Sequence, residues 1–340
     1  MLYLQDIMDS DAITEFFNRK IMKRKIAIIG AGNMGSAIAA SLPVDKYEVV
    51  CTAASERTVS RLSDELPGVT LTRDNIGAVE GADIVVLAVK PYIADGVIDE
   101  IKDYLLPDAT VISVIAPFTI ADLESKLKRS TEGVGDWIEA TVESCDAASP
   151  DDRETEPTIQ SARSIESASL IKDARSFQSD KSTQSDTQVH GFNVLKVIPN
   201  TAIRNGKSVT FVTASDKASE ESVREVMDIF NRSGRAFLIP EKDMNPCMVL
   251  ASCGIAFFLR FIRAAAEGSV ELGLRPGFAT EIAALTAAGA ASLLEDGSHP
   301  EVEIDKVTTA GGTTIKGLNA MEANGFTAAV IAALKAAAGK

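Results

Sequence analysis

Six consecutive residues carry the clearest chemical potential in this chain: Gly30-Ala31-Gly32-Asn33-Met34-Gly35. Glycine at the first, third and sixth places suits a turn that brings backbone against a dinucleotide's pyrophosphate. Gly30 permits the tight turn, Gly32 lets the backbone approach the phosphates, and Gly35 allows a helix to pack closely on a strand. A helix opening there would offer its N–H groups to the anion. A second cluster lies far downstream, at Asp305-Lys306-Val307-Thr308-Thr309-Ala310-Gly311-Gly312-Thr313-Thr314. Two glycines ahead of a helix start expose several backbone N–H groups, and Thr313 and Thr314 add hydroxyls. A single threonine would be explained as a helix cap, but Gly-Gly-Thr-Thr in a row reads as an anion nest suited to a carboxylate.

Two further positions bear on which dinucleotide is held. The segment Cys51-Thr52-Ala53-Ala54-Ser55-Glu56-Arg57 ends a predicted strand without the acid that usually grips a ribose 2′-hydroxyl. Thr52, Ser55 and Arg57 could instead hold a 2′-phosphate, which favours NADPH over NADH, with NADH still usable. Ala88-Val89-Lys90-Pro91 closes another predicted strand. Ligands sit outside such strand ends, so Lys90 is expected near the nicotinamide or its phosphates.

The elements that must position these groups follow from hydrophobic periodicity. Short apolar, β-branched runs predict buried strands at Lys25–Gly30, Tyr47–Thr52, Asp83–Val89, Thr110–Ile115, Val194–Ile198, Ser208–Thr213 and Ala236–Ile239. Helical patterns fall between them at Asn33–Leu42, Glu56–Leu66 and Ser219–Ser233. Alternation of this kind predicts an α/β fold, a Rossmann-type doubly wound and mostly parallel sheet. From Met244 the pattern turns wholly helical. Cys253–Leu272, Ala279–Leu294 and Gly325–Ala338 are Ala-rich and apolar on more than one side, so they predict an all-helical dimerisation domain. The expected organisation is an extension over residues 1–21, a dinucleotide-binding domain over 22–240, and a helical dimerisation and substrate domain over 241–340.

Residues 130–189 interrupt this rhythm. They hold thirteen acidic and five basic residues, a net of −8 out of −14 for the whole chain, together with the only tryptophan, Trp137. Such a composition buries too little apolar surface to offset ordering entropy, so a disordered or loosely attached insertion is expected. The overall charge of −14 argues against nucleic acid as a partner. The four cysteines, Cys51, Cys145, Cys247 and Cys253, form no CxxC pair and suggest neither a metal site nor a disulfide framework. They fit a reducing cytosol, and a cytoplasmic location is the expectation. Only two histidines, His190 and His299, are present, too few for a multi-histidine metal site. No apolar run is read as long enough to cross a bilayer, and residues 1–20 do not read as a secretory signal.

Taken together, Gly30–Gly35, Asn75, Ala88-Val89-Lys90-Pro91, Val197-Ile198-Pro199-Asn200-Thr201, Ser252-Cys253-Gly254 and Asp305–Thr314 resemble the pyrroline-5-carboxylate reductase family. The resemblance covers Lys25 to Ala338 apart from the insertion. It implies reduction of 1-pyrroline-5-carboxylate to L-proline by hydride from NAD(P)H, the last step of proline biosynthesis, in a homodimer or a higher oligomer built on it. It implies that Asn75, Ala88, Val89, Lys90, Pro91 and Ala116 touch the cofactor. It also implies that Gly311, Gly312, Thr313 and Thr314 hold the substrate, with Thr314 as proton donor and Asp305 and Glu241 lining the site less directly. A pyrroline nitrogen is basic enough to protonate without a strong enzymic acid, so orientation and electrostatics would supply most of the catalysis. The chain departs from the family pattern at Ala116-Pro117-Phe118, where a glycine usually follows the alanine, and at Ala310, where a proline is usual.

Two other readings compete. A β-hydroxyacid or related imine reductase would place a lysine in the first long helix after the sheet, and none occurs between Asp243 and Arg275. A non-catalytic NADPH-binding regulatory protein would bind the cofactor without turning over an imine.

Overall fold

The computed structural model describes residues 23–128 and 192–340; the expectations for residues 1–21 and 130–189 lie outside the described residues. Eight strands form one sheet in the order β3-β2-β1-β4-β5-β6-β7-β8. They are β1 (Arg24–Ile29), β2 (Tyr47–Thr52), β3 (Val69–Thr72), β4 (Ile84–Leu87), β5 (Thr110–Ser113), β6 (Asn193–Ile198), β7 (Ser208–Ala214) and β8 (Gly234–Leu238). All pairs are parallel except β6 with β7. The exception has a local cause. Residues 199–207 hold only a 3₁₀ turn, Thr201–Asn205, closed by Gly206 at φ +66°. That connection is too short for a parallel crossover, so the chain doubles back.

Helices α1 (Asn33–Ser41), α2 (Glu56–Glu65), α3 (Asn75–Val79), α4 (Pro91–Ile101), α5 (Ile120–Lys126) and α6 (Glu220–Asn231) connect the strands. The apolar runs that predicted strands are buried as expected: Ile26, Ile28, Ile84, Val86, Leu195 and Val197 join Leu62 and Phe230 in one core cluster. Cys51 is fully buried in the same cluster, and burial pushes its thiol pKa up to about 12, so it remains a neutral, unreactive apolar filler. Several strand bounds differ from the sequence expectation: Thr110–Ile115 is a strand only over Thr110–Ser113, and the strand expected at Ala236–Ile239 is Gly234–Leu238. Asp83–Val89 is a strand only over Ile84–Leu87, because Ala88 onward turns away toward Pro91. Val69–Thr72 pairs at the sheet edge, a four-residue strand too short and too partly buried to show a pattern.

The remainder is helical. A 3₁₀ turn at Glu241–Asp243, α7 (Met244–Met248), a π turn at Val249–Cys253 and α8 (Gly254–Glu271) follow one another without a break. The most apolar 18-residue stretch of this 31-residue run has a mean hydropathy of 1.7, which by length and composition alone is enough to cross a membrane. This corrects the expectation that no apolar run is long enough: Arg260 and Arg263 interrupt the apolar stretch and mask its length in the sequence. Helix α9 (Pro276–Ser292) packs on α8, followed by α10 (Pro300–Lys306), α11 (Thr313–Ala323) and α12 (Phe326–Ala337). Phe258, Leu259 and Leu285 are 58–67% exposed within the single chain. These large apolar side chains lie on two helices that pack against each other.

The sheet core should respond as a tightly packed interior. Phe230 is 1% exposed between α6 and the sheet. Phe230→Ala is expected to lower the unfolding free energy by about 3–5 kcal/mol in a denaturant titration.

Candidate nucleotide crevice and anion loop

The crevice begins where β1 ends. Gly30 has φ +106°, and a Cβ there would lie 2.9 Å from the Ala88 carbonyl oxygen. Its N–H donates to Thr52 Oγ1 at 3.1 Å, and the Ala31 N–H donates to the Thr52 carbonyl. A Cβ on Gly35 would meet the Gly30 carbonyl oxygen at 2.0 Å, so α1 and the turn touch backbone to backbone. Gly32 differs: it is the N-cap of α1, its φ is an unremarkable −73°, and a Cβ there would meet nothing within 4 Å. That gap faces an exposed helix start at Asn33, with Met34 half-buried behind it and no side chain capping the first turn. A phosphate fits this cradle, because its space is empty and its N–H groups have no side-chain acceptor.

At the end of β2, the three residues assigned to a 2′-phosphate separate. Thr52 is 2% exposed, and its hydroxyl is committed to Gly30, so it supports the glycine turn and does not face outward. Ser55 and Arg57 are exposed. Ser55 caps α2, accepting from the Thr58 N–H at 3.3 Å and sharing a hydrogen bond with the Thr58 hydroxyl. The Arg57 guanidinium makes no ion pair among the described residues.

Strand β1 lies between β2 and β4, so the connections leave it in opposite directions across the sheet, and the crevice opens at that reversal. The Ala88 N–H donates to the Ile29 carbonyl at 2.9 Å, which holds the Ala88–Pro91 turn beside the glycine loop. Val89 is half-buried, Lys90 is the exposed N-cap of α4, and Pro91 occupies its first turn. Asn75 opens α3, and its side-chain amide donates to Glu100 Oε2 at 2.9 Å. Ala116 is exposed in the turn after β5, and its carbonyl accepts from Lys196 Nζ at 2.9 Å.

Lys196 went unnoticed in the sequence. Its signal was a single cation inside the apolar strand Asn193-Val194-Leu195-Lys196-Val197-Ile198. Glu241 also lies here, its Oε1 accepting the Ile120 N–H at 2.8 Å at the start of α5. Within one chain, then, Glu241 belongs with the turn after β5. A cavity of ≈670 Å³ beside it is lined by Ile120, Glu124, Ser215, Asp216 and Leu238 and contains neither glycine loop.

The second loop keeps to itself. Gly311 has φ +72°, a conformation that disfavours any side chain, and a Cβ on Gly312 would lie 2.5 Å from Thr309 Oγ1. The Gly312 N–H donates to the Thr309 carbonyl and the Thr308 hydroxyl to the Ile304 carbonyl, both local bonds. Gly312 is the N-cap of α11 with no side-chain cap, which leaves the first-turn amides at Thr313 and Thr314 exposed. Asp305, near the end of α10, is exposed too. No group of three or more His, Cys, Asp or Glu among the described residues could hold a metal.

Comparison with known proteins adds to this geometry. Residues 241–340 match the family model described as pyrroline-5-carboxylate reductase dimerisation, and residues 25–117 match that of NADP oxidoreductase, coenzyme F420-dependent. Pyrroline-5-carboxylate reductase 2 of Dictyostelium discoideum is 30% identical over 325 residues, covering 91% of this chain and 89% of that protein. Pyrroline-5-carboxylate reductase 1 of the same organism is 32% identical over 92% of this chain, which spans about half (48%) of its length. The solved structure of a Plasmodium falciparum pyrroline carboxylate reductase with NADP bound shares the fold, with a TM-score of 0.66, 21% identity, and coverage of 93% of this chain and 95% of that one.

The glycines should fail in different ways. Gly35→Ala forces a carbon against a carbonyl and is expected to cost about 1–3 kcal/mol of stability, or more. Gly32→Val should unfold at nearly the wild-type temperature, yet a fluorescence titration should find no NADPH binding. Wild-type affinity in Gly32→Val would mean the gap is not the phosphate cradle.

Proposed function

The chain belongs to the pyrroline-5-carboxylate reductase family, and from that premise we propose that it reduces 1-pyrroline-5-carboxylate to L-proline with NADPH, the last step of proline biosynthesis. One observation carries this reading: α11 opens on Gly311 and Gly312 with its first-turn amides uncapped by any side chain, in the same chain as an empty phosphate cradle at Gly32. An imino-acid substrate needs both, a carboxylate clamp and a hydride source.

The cradle amides of Gly30–Gly35 would hold the pyrophosphate, with Ser55 and Arg57 the 2′-phosphate and Asn75, Ala88–Pro91 and Ala116 the remainder. Held there, NADPH would supply hydride chemistry to an imine carbon. The chain's own residues bind and orient. First-turn amides of α11, at Thr313 and Thr314, would hold the carboxylate, where helix-end dipoles favour a negative charge. The ring nitrogen would take up one proton, from solvent by way of the Thr314 hydroxyl, as the carbon takes up hydride, giving the secondary amine. The Thr314 hydroxyl would hydrogen-bond that nitrogen, while Asp305 and Glu241 would border the site at a distance.

Residues 22–240 would form the nucleotide domain and 241–340 the helical one. Only 11% of the most apolar stretch of the run Glu241–Glu271 is buried within the chain. A second copy would cover it, making a homodimer. The free thiols of Cys51, Cys247 and Cys253 are compatible with a reducing cytosol.

Loss of absorbance at 340 nm is expected when 1-pyrroline-5-carboxylate is added to protein and NADPH, faster than with NADH. NADPH that binds but is not oxidised would favour a non-catalytic binding protein. Thr314→Ala should cut kcat by roughly tenfold to a thousandfold. Arg57→Ala should raise the KM for NADPH roughly tenfold and leave that for NADH nearly unchanged.

A further inference from the structure

Strand β6 carries a lysine where both faces are covered. Lys196 stands between Leu195 and Val197, both 0% exposed, and is itself only 6% exposed. Lysine is almost never buried this far unless something compensates it. Its Nζ donates to the Ala116 carbonyl across 80 residues of sequence. Burial lowers the ammonium's pKa, and the negative charges of Glu241 and then Asp122 offset part of that effect.

Both carboxylates are themselves fixed. Glu241 accepts the Ile120 N–H, while Asp122 Oδ2 accepts the Thr119 N–H at 2.9 Å and the Thr119 hydroxyl at 2.7 Å. The Ala116–Phe118 turn has few anchors of its own, because Pro117 has no N–H to give. The Phe118 N–H closes it on the Ile115 carbonyl at 3.2 Å, and Lys196 secures it to the sheet. The turn leaves the carboxyl end of β5, on the sheet edge where the glycine loop and the Ala88–Pro91 turn also lie. Glu241 is moreover the first residue of the long helical run. One ammonium thus sits where β6, the β5–α5 loop and the start of the helical half converge.

We propose that Lys196 is a positioning residue for hydride transfer: through its bond to the Ala116 carbonyl it fixes the Ala116–Phe118 turn, the wall that holds the nicotinamide end of the crevice in line with the substrate. This rests on the reductase reading above. Lys196 touches neither substrate nor the reacting atoms. A methionine of similar length would fill the space but leave the carbonyl without a donor, whereas an arginine would restore one.

Lys196→Met and Lys196→Arg in the full chain test this by three readouts: the NADPH Kd from fluorescence, the single-turnover oxidation rate per bound NADPH, and the primary isotope effect with NADPH deuterated at the transferred hydrogen. In Lys196→Met the single-turnover rate is expected to fall roughly tenfold to a hundredfold, as for a small misplacement of reacting groups. The isotope effect should rise because hydride transfer becomes more fully rate-limiting, and the Kd should change by less than about threefold, since the phosphate grip is elsewhere. Lys196→Arg should recover most of the rate.

An unchanged rate per bound NADPH, or a loss tracking only the folded fraction at a constant isotope effect, overturns the role. If Lys196→Met does not fold, Glu241→Gln, which keeps an acceptor for Ile120 and removes the facing charge, should raise the isotope effect with a smaller loss of rate; an unchanged isotope effect there again overturns it. Wild-type protein that oxidises no NADPH with 1-pyrroline-5-carboxylate overturns the reductase reading and this inference together. Wild-type turnover alongside an unaffected Lys196→Met overturns only the part assigned to Lys196.

Discussion

At the β1–α1 turn, backbone meets backbone with no room for a side chain. A single carbon on Gly35 would sit 2.0 Å from the Gly30 carbonyl oxygen, and one on Gly30 would press on the Ala88 carbonyl. This close approach sets the direction in which α1 leaves the sheet, and so where its uncapped N-terminus points. The Thr52 hydroxyl and carbonyl brace the same turn from the neighbouring strand. Of the turn's three glycines, Gly32 is the one with empty space around it, and that space is where an anion can be received. The residues proposed for the cofactor, Arg57, Lys90 and Ala116, follow the carboxyl ends of β2, β4 and β5, three strands parallel to β1.

The helical half is organised by the opposite condition, a surface the chain cannot cover. In α8 only Gly254 and Ala266 are buried, and in α9 only Ala279. Helices with apolar residues on several faces need partners on several faces. A sheet core satisfied within one chain and a helical half left unsatisfied place folding and assembly in different parts of the sequence. They also explain why the Gly311–Thr314 loop is exposed here, though its geometry is already set by Gly311 and Gly312.

Between the two halves lies a polar junction. Lys196, Glu241, Asp122 and the Ala116 carbonyl meet where apolar packing would have been the simpler solution. A buried ammonium is retained only at an energetic cost, which is tolerable where a carbonyl must be held in one place. Cys51 shows the contrast: burial with no partner leaves it a neutral thiol that only fills space.

Local composition determined much of this protein. The β-branched runs were legible as buried strands because a parallel sheet covered on both faces leaves them no polar side. Gly30, Gly35, Gly311 and Gly312 were legible because glycine alone tolerates their close approaches or positive φ, whereas Gly32 is marked only by its place in the pattern. The resemblance at Asp305–Thr314 implies the reaction from the sequence alone. Tertiary structure alone decided what depends on neighbours distant in sequence. It turned the Thr52 hydroxyl inward to Gly30, reversed β7 after a connection too short to cross over, and set Glu241 against Ile120. It also joined Lys196 to a carbonyl 80 residues away. A side chain's type is written in the sequence, but its partner is chosen by which strand ends the fold brings together.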